Sequence, residues 1–300
     1  MEGQSYRKGE RITFYCLLGN LVLSLLKGLA GFLGGSKAMI ADAFHSGSDT
    51  LATFVVYVCL KISRKPADGC HPYGHGKVEP LAAAFVGVTL LLAAALIIQD
   101  IVTAVFDNSL AAPSLVTLAA AAGSILVKEI MFRITYHTGV SLNSEAMIAN
   151  AWDHRSDAYS SVAVFCGILG SILGVRYGII WLKYLDPLAG VLVAVLIFKI
   201  ALEILTRAIR NLMDASPTEE TMALITRLAQ SVPGVSGVSW ARGRVVGAQI
   251  YVDMAVQVEA KKSVQEGHSI ARSITDTLKA NAAYIGEVLI HINPHQEDES

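Results

Sequence analysis

Six long apolar stretches constrain the fold of this chain more than any other feature of its sequence. A helix needs about 20 residues to cross the ~30 Å hydrocarbon core of a bilayer, and each stretch is long enough. Apolar residues make up 53% of the 300 positions, and charged residues make up only 16%. This composition is too apolar for an ordinary soluble protein. We therefore predict an α-helical membrane protein with six transmembrane helices. They lie at 12–33, 38–62, 81–106, 113–136, 144–174 and 186–208.

Basic residues are unevenly divided between the two sides of this predicted membrane domain, residues 12–210. They cluster before the first span, between the second and third spans, and after the sixth. The positive-inside rule places this side, and with it both termini, in the cytoplasm. Residues 1–11 are then a cytoplasmic segment, and they lack the apolar core of a removable signal peptide. The basic residues of this side are Arg7, Lys8, Arg11, Lys61, Arg64, Lys65, Lys77, Arg207 and Arg210.

The end of the chain has mixed composition and predicts a separate cytoplasmic domain over residues 211–295. The run from Ser216 to Glu219 combines an N-cap, a proline at the first helical position and a glutamate, which together mark a helix start. Alternating apolar residues predict a half-buried strand over 246–258, after a turn at Arg242-Gly243-Arg244. The order helix, strand, strand, helix, strand predicts an α+β domain with its helices on one sheet face. Residues 296–300 are expected to be a frayed tail.

Two pairs of ionisable residues interrupt the predicted second and fifth spans. His45 and Asp49 are four positions apart, as are Asp153 and Asp157. This spacing places both members of a pair on one helix face, so two facing helices offer one imidazole and three carboxylates. Such a set suits a four-coordinate divalent metal, and ionisable groups at membrane depth indicate an ion pathway. His154, three positions before Asp157, could replace Asp153 as the fourth ligand.

A second candidate metal site lies in the loop between the second and third spans. Asp68, His71 and His75 occur within one short segment, and all three are residue types that bind transition metals. The alternative is a polar turn whose histidines are only exposed. Cys70 is adjacent and could bind a soft metal, although the histidines are better candidates.

Other ionisable residues have simpler interpretations. Lys27 in the first span is expected to extend its ammonium group to the membrane interface. Lys128 and Glu129 in the fourth span are expected to form a local pair outside the ion path. In the tail, His268 and His291 are either surface histidines or a joint metal site. A net charge of −1 argues against a nucleic-acid partner.

Four segments, taken in order, resemble the cation diffusion facilitator family over roughly residues 10 to 295. The resemblance implies a homodimer of six-span protomers, each with a ferredoxin-like cytoplasmic domain. It also implies that the protein exports a divalent transition metal, usually Zn²⁺, from the cytoplasm in exchange for protons, and we expect the membrane to be the bacterial inner membrane. The segments are GNLVLSLLKGLAGFLGGSKAMIADAFHSGSD, HPYGHGKVEPLAA, ANAWDHRSDAYSS and LDPLAGVLVA.

The resemblance assigns roles to individual positions. Lys77 matches a lysine that forms a salt bridge at the family's dimer interface, with Asp214 as its expected partner. His268 and His291 align with two tail ligands of some relatives, whereas Ser239, Tyr251 and Asn293 stand where those relatives carry further ligands. The transport site of the family corresponds to His45, Asp49, Asp153 and Asp157, and its loop site to Asp68, His71 and His75.

The ligand set bears on the metal and on rival functions. Many zinc-selective members have two histidines and two aspartates, whereas this chain has one histidine and three aspartates. Harder oxygen ligands lower the selectivity of the site for Zn²⁺ over other divalent metals, so Fe²⁺, Mn²⁺, Co²⁺ and Cd²⁺ compete with Zn²⁺. An intramembrane metal-dependent hydrolase is disfavoured because HExxH is absent and four ligands leave no place for catalytic water. A metal-sensing scaffold that does not transport is the other alternative. We therefore predict a transporter rather than an enzyme.

Overall fold

The structure is a computed structural model that describes residues 2–63, 65, 67–107, 110, 112–142, 144–247, 249–282 and 284–295. The predicted tail at 296–300 and the basic residue Arg64 lie outside this part of the chain. Two compact units are formed, the first by Met1–Val55 with Phe85–Ile204 and the second by Val56–Ala84 with Leu205–Ser300.

Within the residues that the structure describes, the first part of the chain forms six long helices. A short 3-10 turn, Ile180–Tyr184, precedes the last of them. The helices are α1 (Glu2–Gly34), α2 (Lys37–Ser63), α3 (Val78–Phe106), α4 (Leu115–Ser141), α5 (Glu145–Tyr177) and α6 (Leu185–Leu212).

Five of these helices, within the described residues, are long and apolar enough to cross a membrane: α1 from Ile12, α3, α4, α5 from Met147, and α6 with its preceding turn. The remaining helix, α2, carries Asp42, His45 and Asp49 along its first half. A helical membrane-spanning region is therefore confirmed, and the sixth span stays a prediction.

The core of the first unit is built by residues of α2, α3, α4, α5 and α6. Its centre contains Met39, Val164, Ile168 and Ile197, each almost fully buried. Gly167 of α5 permits a close approach to α6, because a Cβ at this position would lie 2.6 Å from the Cβ of Ala189. Small residues at helix contacts allow the dense packing on which membrane helices depend.

A buried carboxylate fixes the start of α2 to the start of α6. Ser36 Oγ donates to Asp186 Oδ1 over 2.6 Å, and the backbone N–H of Lys37 donates to Asp186 Oδ2 over 2.9 Å. Ser36 Oγ in turn accepts from the backbone N–H of Met39 at 3.0 Å. A negative charge at a helix N-terminus is favourable because it interacts with unpaired N–H groups and with the helix dipole.

Replacing Asp186 with alanine is expected to lower the free energy of unfolding by roughly 1.5–3 kcal/mol, because charge-assisted bonds to buried donors are lost. Thermal unfolding of the purified protein in detergent measures the effect. Asp186→Asn keeps one acceptor oxygen and should lose less. Equal stability of wild type and Asp186→Ala would contradict this role.

The second unit contains the C-terminal domain, which has the predicted order of elements. These are α7 (Glu219–Gln230), β1 (Gly237–Val246), β2 (Gln249–Glu259), α8 (Val264–Asn281) and β3 (Ile285–His295). The sheet order is β1-β2-β3, with β1 and β2 antiparallel and β2 and β3 parallel. Ile225 of α7, Ile274 of α8 and Met254 of β2 share one core. A domain of helices and sheet is therefore confirmed.

The predicted turn at Arg242-Gly243-Arg244 is wrong, because these residues continue β1. Arg244 Nη1 donates to Asp253 Oδ2 across the β1–β2 ladder at 3.0 Å. Gly243 makes room for the segment that packs over it: a Cβ there would lie 2.7 Å from the sulfur of Met222 on α7 and 3.0 Å from Pro217 Cδ. The chain reverses instead at Gly247, whose φ of 59° suits glycine.

Candidate metal centres

The structure brings three of the four predicted transport-site residues together inside the first unit. His45 and Asp49 project from α2, and Asp157 projects from α5, so that one ligand atom from each lies within 4.8 Å of the others. His45 Nε2 is 3.7 Å from Asp157 Oδ1. His45 is buried, and Asp49 and Asp157 are partly buried. One imidazole and two carboxylates therefore converge between two helices of the predicted membrane domain.

The fourth predicted residue, Asp153, is exposed on α5 and is not part of this cluster. Its neighbour His154 is buried, and its Nε2 has no hydrogen-bond partner among the described residues. His154 does not join the cluster either. The choice between Asp153 and His154 as a fourth ligand thus stays open.

Lys128 belongs to this site, and its interpretation as half of a local pair with Glu129 is wrong. Its Nζ donates to Asp157 Oδ2 over 2.6 Å, and its side chain has 0% exposure. Glu129 instead accepts from Arg133 Nε at 2.8 Å. A signal was present in the sequence: Lys128 is at the midpoint of α4, about 20 Å from either end at 1.5 Å per residue. An ammonium group so far from both interfaces needs a buried partner.

Lys27 is also buried, so its expected extension to the interface is wrong. Its Nζ lies 2.8 Å from Asp42 Oδ2, with both side chains 1% exposed. The same ammonium donates to Ser46 Oγ and Ser161 Oγ, each at 3.1 Å. This network joins α1, α2 and α5 one helical turn from the cluster, since Asp42 precedes His45 and Ser161 follows Asp157 on their helices.

The loop residues Asp68, His71 and His75 also converge, in the second unit. His71 Nδ1 is 3.2 Å from Asp68 Oδ1, and His75 Nε2 is 3.3 Å from Asp68 Oδ2. The backbone N–H of His71 donates to Asp68 Oδ1, which lowers the pKa of that carboxyl below its ordinary value. Asp68 therefore remains ionised at neutral pH, as a metal ligand must. Cys70 contributes a backbone N–H to Asp68 and is not part of the cluster.

Lys77 and Asp214 form the expected ion pair, with Lys77 Nζ 2.8 Å from Asp214 Oδ1. The pair is formed within one chain, and Lys77 also donates to the Leu212 carbonyl at 3.4 Å. Asp214 has a φ of 56°, which is uncommon for a residue with a side chain. The contact therefore fixes the turn after α6, and its place at a dimer interface stays a prediction.

The structure does not bring His268 and His291 together within one chain. His268 lies on α8 beside Ile290 and Ile292. His291 is between these two residues on β3, and neighbouring strand residues face opposite sides of a sheet. Ile290 and Ile292 pack on the helix-covered face, so His291 is on the other face.

Two family models cover most of the chain. The cation efflux transmembrane domain matches residues 13–213, and the cytoplasmic domain of cation efflux proteins matches residues 217–295. The chain belongs to the cation diffusion facilitator family. Members of this family transport metal ions and are not enzymes, so the protein is an integral membrane metal transporter of this family.

Several curated relatives align over nearly the whole chain. The manganese efflux system protein MneP of Bacillus subtilis is 33% identical over 99% of this chain and 100% of its own length. The magnetosome protein MamB of Magnetospirillum gryphiswaldense is 31% identical over 95% of this chain and 94% of its own. Among solved structures, a nickel form of the MamM C-terminal domain is 26% identical over 26% of this chain and 100% of that domain, with a TM-score of 0.26.

Proposed function

We propose that this protein exports a divalent transition metal from the cytoplasm by exchange with protons. The observation that carries the proposal is the convergence of His45, Asp49 and Asp157 within 4.8 Å between two helices of the membrane domain. Ionisable groups at membrane depth are costly to bury, and they typically mark a solute or ion pathway. Three groups that bind divalent transition metals in proteins, close enough to share one ion, make that solute a metal cation.

Asp153 completes the set in this proposal, because it is one turn from Asp157 on the same face of α5. All four groups bind metal only in their deprotonated forms, so protons and metal compete for the same atoms. A site that binds metal when open to the cytoplasm releases it when open to a more acidic compartment. The proton gradient thereby drives export.

The transport cycle requires α2 to cross the membrane as the sixth span, so that the cluster opens alternately to either side. Both termini are then cytoplasmic, and the membrane is the bacterial inner membrane. Two protomers associate through their C-terminal domains, with the Lys77–Asp214 pair beside the interface. The loop cluster of Asp68, His71 and His75 binds the same class of metal at the cytoplasmic face.

Zn²⁺ is the proposed cargo, because four ligands that include an imidazole satisfy its preferred tetrahedral coordination. Three carboxylates also suit Mn²⁺ and Fe²⁺, and one relative named above is a manganese efflux protein. Mn²⁺, Fe²⁺, Co²⁺ and Cd²⁺ are therefore the ions against which Zn²⁺ is compared.

Proteoliposomes with an acidic interior test this function. We expect Zn²⁺ to accumulate inside against its own gradient, and a protonophore to stop the accumulation. A metal-sensitive dye inside the vesicles measures uptake, and a pH dye measures proton release. Zn²⁺ uptake that is unaffected by the pH gradient would contradict proton exchange, and no uptake of any of the five metals would contradict transport.

A further inference from the structure

The two carboxylate oxygens of Asp157 face different partners. Oδ1 is directed toward the metal cluster, 3.7 Å from His45 Nε2. Oδ2 accepts a hydrogen bond from Lys128 Nζ at 2.6 Å. An ammonium at this distance makes a short, charge-assisted bond, which is stronger than a bond between neutral groups. One oxygen of Asp157 is thus free for metal, and the other is held by the lysine.

The surroundings of Lys128 keep it in this place. Its side chain has no exposure, and Asp157 Oδ2 is its hydrogen-bond acceptor in the described part of the chain. The neighbouring Glu129 pairs with Arg133 and does not compete for the ammonium. A buried ammonium that left its carboxylate would lose most of the attraction that offsets the cost of its desolvation. The pair is therefore expected to persist.

We propose that Lys128 is a specificity-determining residue that restricts Asp157 to one metal-binding oxygen. This inference rests on the proposed function, because it concerns which ion the same site prefers. Lys128 does not touch the metal. It acts through Asp157, by occupying the second oxygen of a carboxylate that would otherwise bind an ion with both.

The number of oxygens that Asp157 contributes changes the ranking of ions. Zn²⁺ is satisfied by four ligands, one oxygen per carboxylate. Mn²⁺ prefers six oxygen-rich ligands, and a carboxylate that binds through both oxygens raises the coordination number. Holding Asp157 Oδ2 on Lys128 therefore favours Zn²⁺ over Mn²⁺. The positive charge of Lys128 weakens the binding of both ions alike, so its effect cancels in the ratio of their affinities.

The test compares the ratio of Mn²⁺ to Zn²⁺ affinity in wild type and in Lys128→Met, a substitution of similar length without charge or N–H donor. The full chain is used, with His71→Ala and His75→Ala in every variant so that the loop does not contribute. Competitive equilibrium dialysis in detergent gives the two Kd values, and proteoliposome uptake gives the two KM values. The ratio is expected to shift toward Mn²⁺ by roughly 10-fold, on the order of the smallest affinity changes that follow removal of a ligand's hydrogen-bond partner.

Two controls isolate the effect. Lys128→Arg keeps a cation beside Asp157 and should retain the wild-type ratio. The double substitution Lys27→Met with Asp42→Asn removes a buried lysine and its partner away from the cluster, and should also leave the ratio unchanged. If Lys128→Met does not fold, the same ratio measured in Lys128→Leu, which also lacks both the charge and the N–H donor, decides the question.

An unchanged ratio in the folded Lys128 variant, with metal still bound, would overturn the role of Lys128. A shift of equal size in the Lys27 and Asp42 double variant would also overturn it, because the effect would then be structural. If wild type neither binds nor transports any of the metals, the proposed function fails instead. The two failures are therefore distinguishable.

Discussion

Replacing Asp157 with asparagine is expected to reduce metal flux by more than about 100-fold, beyond the loss typical for groups that only support a ligand. Asparagine has nearly the same shape but no negative charge. Asp157 is the residue on which the site converges, because its two oxygens face His45 and Lys128. Initial rates of Zn²⁺ uptake into proteoliposomes measure the effect.

The matched control for Asp157→Asn is Glu129→Gln. Glu129 is also a carboxylate of the membrane domain and is adjacent to Lys128 in sequence, but it pairs with Arg133 away from the cluster. Its replacement should leave flux close to that of wild type, because Glu129 is not part of the cluster. Similar losses of flux in the two variants would mean that flux depends on the charge of the membrane domain in general. Such a result would contradict the site assignment.

Lys27→Met is expected to be the most destabilising single substitution considered, with a loss of about 3–5 kcal/mol in the free energy of unfolding. It would leave the carboxylate of Asp42 buried without its cation. Asp42 Oδ1 has no hydrogen-bond partner among the described residues. Oδ2 accepts from Ser161 Oγ and contacts Lys27, which is the cation that balances the charge of this carboxylate. Thermal unfolding in detergent measures the loss.

Combining Lys27→Met with Asp42→Asn should restore most of this stability, because a buried ion pair replaced as a unit often costs little. The coupling between the two substitutions is then large, as expected for residues in direct contact. Additive losses in the double variant would show that the two residues act independently. Such a result would contradict the network joining α1, α2 and α5.

The sequence predicted the convergence of His45, Asp49 and Asp157 because helix periodicity is a local property. Two residues four positions apart share a face in any α-helix. The approach of α2 to α5 is the part that helix periodicity does not predict. The place of Asp153 was not predictable in this way. Asp153 shares the spacing, yet it is exposed on α5 and outside the cluster.

The two buried lysines were misinterpreted because their environment depends on which helices surround them. Lys27 is near enough to the end of α1 for extension to the interface to be reasonable. Only the positions of Asp42 on α2 and Ser161 on α5 show that it is held inside. Such contacts between helices distant in sequence leave no periodic pattern in any one of them.

The C-terminal domain also shows that local sequence patterns predict an element but not the contacts between elements. Alternation of apolar residues correctly indicated β2, because it reports one buried face of a strand. Gly243 was taken for a turn residue, whereas it is in β1 and makes room for Met222 of α7. Glycine is compatible with both roles, and only the neighbouring helix distinguishes them.

One metal ion is expected to bind among His45, Asp49 and Asp157, and equilibrium dialysis measures this binding. The number of Zn²⁺ ions bound per full-length chain is measured in a background of His71→Ala and His75→Ala, with and without Asp49→Asn. Asp49→Asn is expected to remove one bound ion per chain at Zn²⁺ concentrations that saturate the background protein. An unchanged number of bound ions, at unchanged affinity, would contradict it.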